Sequence, residues 1–465
     1  VRACVRACVR VCVLPPACQH QPQGPPPPDP TARMSAASAD AYLAFAEREC
    51  AQVPGLDATP GPMDTIGIVG AGLMGGGIAM CCAEAGMRVT LLDIDAKALE
   101  KGMDTIKKNY ARSVERKSKT QAQVDGILAS ITPSTDYASF KSVDLVVEAV
   151  FENMKVKQTI FKTLDEVCKP GCVLASNTSG LNIDKIAEVT KRPQDVIGCH
   201  FFSPANVMRL LENVRGAKSS PRTLATAMAF GVKIKKVTCL VGNCPGFVAN
   251  RVMGVSGADQ LLHRGASPKD IDAACESFGM KMGPFKMADL VGLDLFGRER
   301  AQAKIATPEK NIRDAMFAAE RYGQKNGKGF YKYDAKRQLS ADPEADALIA
   351  KVWQTNGTKP TSFSADEIVQ TCYFPVINEG FKCLEEGIAI RPCDVDVCLV
   401  FGYNWPRATG GPMHFAGSVG LPKVLDTLEK MNVKPSSLLK ECVEKGWTVD
   451  SEALKQRLAQ ARSKL

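Results

Sequence analysis

The strand-like run at residues 66–69 leads straight into Gly70-Ala71-Gly72-Leu73-Met74-Gly75 and then into a helical pattern, and Asp93 closes the next strand-like run. The three glycines have distinct uses: a tight turn at Gly70, close approach of a pyrophosphate to the backbone at Gly72, and close packing of helix on strand at Gly75. With Leu73 and Met74 they open a helix, whose free N–H groups and dipole favour an anion. A glycine-rich turn alone is often only a turn. Strand, glycines, helix, second strand and acid in that order point to a bound dinucleotide. Asp93 can accept both ribose hydroxyls and would repel a 2′-phosphate, and no arginine follows it closely, so NAD is favoured over NADP.

Of the four histidines, His20 lies in the N-terminal tail, His263 and His414 lie in helical patterns, and His200 ends a strand-like run. The carboxyl ends of strands are where open α/β sheets bind ligands. Twelve residues on, Glu212 stands in the apolar stretch 207–214, where an unpaired carboxylate would be costly and needs a partner. Imidazole accepts a proton near neutral pH, and a neighbouring carboxylate can fix its tautomer and stabilise the imidazolium. That combination suits removal of a hydroxyl proton while hydride leaves the carbon. From spacing alone, a satisfied core histidine and a surface glutamate fit equally well.

The elements that must position these groups read as strands at 66–69, 89–93, 145–148, 173–176 and 196–199 with helices between, which predicts a parallel sheet covered on both faces. Ahead of them, 39–50 reads as a helix and 53–62 as a Pro/Gly linker. After Phe247 the pattern becomes helical. That half repeats itself: the stretch from Gly257 is echoed from Asn378, with Gly265 matching Gly387, Asp272 matching Asp396, Gly279 matching Gly402, and Gly283-Pro284 matching Gly411-Pro412 at a nearly constant offset. The expected organisation is a tail and linker over 1–63, a dinucleotide domain over 64–244, and helical domains over 245–345 and 346–465.

A chain of 465 residues is too long for one small module and predicts two to four domains. With 45% apolar and 23% charged residues and no apolar run of about 18, fibrous, wholly disordered and membrane-spanning classes are excluded. The net charge of +9 includes +3 from the segment before Met34. The remainder is mild, and suits an anionic small substrate better than nucleic acid. Of 18 cysteines, four lie in the tail and the rest are scattered without C-x2-C spacing, so neither a metal site nor a disulfide framework is expected. Cys81, Cys82, Cys239 and Cys275 read as small core residues in a reducing compartment. The opening VRACVRACVRVCV and the Pro/Gln-rich segment after it cannot bury a core. They have the arginine of a transit peptide without its serine or amphipathic stripe, and the preferred reading is upstream sequence translated in frame, with Met34 as the natural start.

The runs GIVGAGLMGGGIA, DLVVEAVFENMKVK, ASNTSGLNI, GCHFFSPANVMRLLE, CPGFVANRV and MGPFKMADLVGLD resemble, in order and spacing, the L-3-hydroxyacyl-CoA dehydrogenase family of fatty-acid β-oxidation, from about Asp64 to the end. The duplicated helical half looks like the dehydrogenase half of the peroxisomal multifunctional proteins, and AYLAFAERECAQVPGLDATPGP is similar to the linker that precedes it there. The resemblance implies a Rossmann-type NAD-binding domain followed by two repeated, mainly α-helical C-terminal domains, and NAD-dependent oxidation of an L-3-hydroxyacyl-CoA to the 3-oxoacyl-CoA. It places the family's catalytic pair on His200 and Glu212, and its active-site serine and asparagine on Ser179 and Asn250, where they would hydrogen-bond the reacting oxygen. Further NAD contacts fall on Glu152, Lys157, Ser179 and Lys325, and on Ser203, which stands where the mitochondrial pattern has Asn and matches the peroxisomal relatives. Coenzyme A contacts fall on Thr105 and Arg112, within a basic stretch that includes Lys101, Lys107, Lys108 and Lys119; a solvated helix face would carry the same charges.

The resemblance also sets expectations about what is missing and where the chain works. Only 63 residues precede Asp64, too few for the relatives' hydratase half, so hydratase and isomerase activities are expected to be absent. Ser463-Lys464-Leu465 is a peroxisomal address, read by an import receptor. The second helical repeat could take the place of the partner subunit used by single-repeat relatives, giving a monomer with one active site and an internal pseudo-two-fold. Two rivals remain open at this level: an NAD-binding structural relative that has lost the reaction, and a Rossmann oxidoreductase for free β-hydroxyacids.

Overall fold

A computed structural model describes residues 36–462, so the tail before them and the Ser463–Leu465 tripeptide lie outside the described residues. The described chain divides into two compact units, one of residues 43–250 with 386–402, the other of 36–42, 251–385 and 403–462. The first helix, α1 (Ala36–Ala51), is followed by a stretch without helix or strand up to Thr65, where the Pro/Gly linker is expected.

The first unit is built on one sheet of β1 (Thr65–Val69), β2 (Arg88–Leu92), β3 (Ile131–Ser134), β4 (Leu145–Glu148), β5 (Val173–Ser176), β6 (Val196–Phe201), β7 (Leu210–Arg215) and β8 (Val237–Gly242), in the order β3-β2-β1-β4-β5-β6-β7-β8. Its central strands are nearly continuous runs of apolar, often β-branched residues because both faces are covered; all of β4, β5 and β6 is buried. The covering helices are α2 (Leu73–Glu84), α3 (Ala96–Glu115), α4 (Gln121–Ala129), α5 (Met154–Val167), α6 (Ile183–Ala187) and α7 (Pro221–Lys233), with α8 (Ala249–Met253) after β8. Their starts are written locally: Asp95 accepts from the N–H groups of Lys97 and Ala98, Thr120 and Gln123 form a capping box, and Asn153 accepts from Val156.

The five expected strands pair in parallel, and three further strands join them. β6 and β7 are antiparallel, and β8 is parallel to β7, so the last two strands run against the other six. The physical reason is connection length. Parallel neighbours need a crossover of a dozen or more residues, and the few residues from Phe202 to Arg209 allow only a reversal. β3 carries Pro133, which cannot donate to a ladder and is tolerated because β3 is an edge strand.

The second unit is helical, as expected, apart from a short antiparallel pair, Lys332–Tyr333 with Leu339–Ser340. It contains α9 (Ala258–His263), α10 (Pro268–Phe278) and α11 (Pro284–Val291), and α10 packs against the long helix Ala365–Glu385. The rings of Phe278, Tyr373, Trp405 and Phe415 gather there, with Phe278 5.2 Å from Tyr373 and Tyr373 5.0 Å from Trp405. The internal echo has a local structural counterpart. α11 and the helix Pro412–Val419 each span 8 residues with a proline in the first turn, and each ends on a glycine of positive φ, +102° at Gly292 and +93° at Gly420. Among the described residues, no helix is long and apolar enough to cross a membrane.

Candidate active site

The glycine turn after β1 has the geometry that its sequence requires. Gly70 sits at φ +99°, and a Cβ at Gly75 would lie 1.8 Å from the Gly70 carbonyl oxygen, so no side chain fits where α2 meets the turn. A Cβ at Gly72 would meet nothing within 4 Å. Gly72 caps α2 without a side-chain acceptor, so the helix presents its first N–H groups to the open side. Met74 is buried, whereas Leu73 is about half exposed at the same helix end. Asp93, just after β2, accepts from Ala71 N–H at 2.9 Å through Oδ2 and from Asp95 N–H at 3.1 Å through Oδ1. The carboxylate is thereby locked to the turn with lone pairs left for a ribose. These residues fit a dinucleotide.

His200 and Glu212 are brought together by the reversal at β7. The antiparallel register sets them directly opposite each other, and Nδ1 of His200 lies 2.8 Å from Oε2 of Glu212. The other oxygen of Glu212 accepts from the N–H groups of Val248 at 3.1 Å and Ala249 at 2.9 Å, at the start of α8. A fully buried carboxylate thus has both oxygens satisfied. An ionised carboxylate only accepts, so the imidazole proton belongs on Nδ1 and Nε2 carries the lone pair. That Nε2 is buried without a hydrogen-bond partner among the described residues, as is Oγ of Ser203. The ring lies 4.3 Å from that of Phe202 and 5.7 Å from that of Phe247.

Ser179, after β5, is held by Glu152. Oε1 of Glu152 accepts from Thr178 Oγ1 at 2.7 Å, from Ser179 N–H at 2.9 Å and from Ser179 Oγ at 3.1 Å. The buried Asn250 donates through Nδ2 to the Ser179 carbonyl at 3.3 Å. Behind Glu152, Nζ of the buried Lys157 lies 3.5 Å from Oε2 of Glu152 and donates at 2.7 Å to Glu148. Glu148 also accepts from Ser176 Oγ at 2.6 Å and from Val150 N–H at 2.8 Å. Thr178 and Glu148 were not singled out from sequence. The signal for Glu148 was present: an acid ending the otherwise apolar run LVVE needs a partner, by the same reasoning that drew attention to Glu212.

Two further expected groups lie on other elements of the chain. Lys325 belongs to the helical unit, where its ammonium pairs with Asp294. Thr105 and Arg112 are exposed on α3, away from its buried residues Leu99, Gly102, Ile106 and Tyr110, and the Thr105 hydroxyl donates to the Lys101 carbonyl at 2.8 Å. A separate buried cluster was not foreseen: ligand atoms of Cys50, Cys239 and Asp394 lie within 4.8 Å of one another. Asp394 is already engaged by the guanidinium of Arg391, and burial pushes the Cys50 thiol well up, so the cluster is one of neutral core thiols beside a satisfied ion pair.

Residues 65–244 match the family model described as 3-hydroxyacyl-CoA dehydrogenase, NAD binding domain, and residues 246–333 match the 3-hydroxyacyl-CoA dehydrogenase C-terminal domain. The chain is 40% identical over 416 residues to the peroxisomal bifunctional enzyme of Danio rerio, an overlap that takes in 83% of this chain and 57% of that protein. It therefore spans little more than half the length of the curated relatives it matches. Among solved structures, 3-hydroxybutyryl-CoA dehydrogenase from Escherichia coli K12 is similar with a TM-score of 0.70 at 26% identity, over 83% of this chain and 99% of that one. The dehydrogenase part of multifunctional enzyme 1 from C. elegans gives a TM-score of 0.65 at 29% identity, over 86% and 96%.

Proposed function

The chain belongs to the 3-hydroxyacyl-CoA dehydrogenase family, and on that premise we propose that it oxidises the 3-hydroxyl of an L-3-hydroxyacyl-CoA to the 3-oxo group with NAD. The observation that carries this reading is Nε2 of His200, a buried lone pair with no partner among the described residues, backed by Glu212. In the reaction His200 takes the hydroxyl proton, and Glu212 holds the ring and stabilises the imidazolium that forms. Ser179 and Asn250 orient the reacting oxygen. The glycine turn and Asp93 hold the adenosine side of the cofactor, while Glu152, Lys157, Ser203 and Lys325 serve its nicotinamide side. Bound NAD supplies the hydride acceptor. Thr105 and Arg112 receive the coenzyme A moiety.

NADH production tests the reading. Turnover is expected with L-3-hydroxyacyl-CoA and not with D-isomers or free acids. An enzyme that binds NAD and turns over none of them would be the inactive relative.

Residues 64–244 form the cofactor domain, after a linker that ends at residue 63. Stretches 245–345 and 346–465 are a helical repeat whose second copy replaces a partner subunit, making the chain a monomer. A stable species of twice the 50.0 kDa chain mass in sedimentation would overturn that. Relatives named as peroxisomal support a peroxisomal location, and a reporter carrying residues 452–465 tests whether the Ser463–Leu465 address engages an import receptor.

A further inference from the structure

We propose that Glu148, Lys157 and Glu152 form a charge triad that biases the site toward the oxidised form of its cofactor. Glu148 is the last residue of β4, and β1 and β4 are the neighbouring strands at which the sheet order turns, with β2 and β3 on one side and β5 and β6 on the other. A dinucleotide crosses an open sheet at such a switch point. Asp93, after β2, takes the adenosine side, so the nicotinamide side lies over the ends of β4, β5 and β6, which carry Glu148, Ser179 and His200. This rests on the cofactor placement proposed above.

The two forms of the cofactor differ at that end by one charge, since the nicotinamide ring is cationic when oxidised and neutral after accepting hydride. Two carboxylates and one ammonium sum to one negative charge. Side chains of Lys157 and Glu148 are 1% and 0% exposed, so solvent screens that charge poorly. The ion pair of Lys157 with Glu148 also fixes the ammonium against Glu152, which in turn holds Ser179. Glu148 is thus a positioning residue whose charge reaches the cofactor through the field of the triad.

Fluorescence titration with NADH, and competition by NAD+, measure both affinities in the full chain without substrate. Glu148→Gln removes one negative charge and should raise the ratio of the NAD+ to the NADH dissociation constant roughly tenfold, the effect of one unit charge at about 10 Å and an effective dielectric of about 20. Lys157→Gln leaves two negative charges and should lower the ratio by a similar factor. Opposite movement is the signature, because loss of structure would weaken both forms together. Equal weakening of both forms, or movement in one direction in both variants, overturns the proposal. Should Glu148→Gln not fold, Glu152→Gln removes the same charge from a side chain that is 14% exposed, and must raise the ratio too. If Asp93→Ala leaves both affinities unchanged, it is the cofactor placement that fails and not the triad.

Discussion

Both units bury carboxylates completely, and they surround them differently. In the sheet unit, Glu212 is satisfied on one side by two backbone N–H groups and on the other by His200, whose far nitrogen then has no partner among the described residues. In the helical unit, Asp272 accepts from Phe285 N–H, Lys286 N–H and the Tyr331 hydroxyl, and Asp289 accepts from Phe330 N–H, Tyr331 N–H and the Tyr333 hydroxyl. These two end in closed networks that tie the start of α11 and the segment around Phe330 in place. An acid whose chain of partners finishes on an unpartnered lone pair is arranged for chemistry. One whose partners are all backbone and phenol is arranged for structure.

The largest expected effect breaks the first network. His200→Gln should lower kcat about 100- to 10,000-fold, the usual worth of a positioned base, while NAD affinity, read by NADH fluorescence, stays within a factor of two or so because the glycine turn is untouched. Near-parental kcat would return His200 to the class of core histidines. Next in size, Asp289→Ala leaves three buried donors without an acceptor. At about 1–3 kcal/mol each it should destabilise the fold by about 3 kcal/mol or more in denaturant titration, without altering the NAD dissociation constant. A changed cofactor affinity with unchanged stability would show that the helical acid is functional after all. A smaller effect is expected of Asp93→Ala, which loses the ribose acceptor and the Ala71 anchor. NAD should bind roughly tenfold more weakly and discrimination against NADP should relax; an unaltered preference would make Asp93 structural.

The smallest effect concerns pH. Burial pushes the carboxyls of Asp272 and Asp289 up to about 6, against the pull of their donors. Their unfolded value is near 3.9. Between about pH 4 and pH 6 the unfolded chain gives up these protons first, so the folded state holds more protons and loses stability as pH rises; above about 6 the loss is complete and constant. Asp144 in the sheet unit behaves oppositely: burial acts to raise it, but Lys169, Thr65 and Asp64 hold it below the usual range, and its contribution is lost on acidification. Thermal melts of Asp289→Asn should therefore show a shallower fall in stability from pH 4 to pH 6 than the parent. An identical slope would remove Asp289 from the balance.

Much of the site could be read without coordinates where the information is local. The turn of Gly70, Gly72 and Gly75, the order of strand, helix and acid, and the caps at Asp95, Thr120 and Asn153 all act within a few residues. Glu212 and Glu148 both stand in apolar runs and so need partners, a signal that is legible in the sequence. β3 was missed because Pro133 argues against a strand unless the strand lies at an edge, and edge position is a property of the assembled sheet. β7 and β8 were missed because short apolar runs have no period that separates strand from helix.

What the sequence determined by itself was the dinucleotide turn and the change from sheet to helices near Phe247, with His200 and Glu212 offered as candidates. Tertiary structure alone decided that β7 reverses and so sets Glu212 opposite His200, that Lys157 lies between two carboxylates, and which buried acids close their networks and which leave a lone pair without a partner. Turns and caps are settled by neighbours along the chain. Strand pairing and the burial of a charge are settled by residues far apart in sequence, whose meeting no local pattern records.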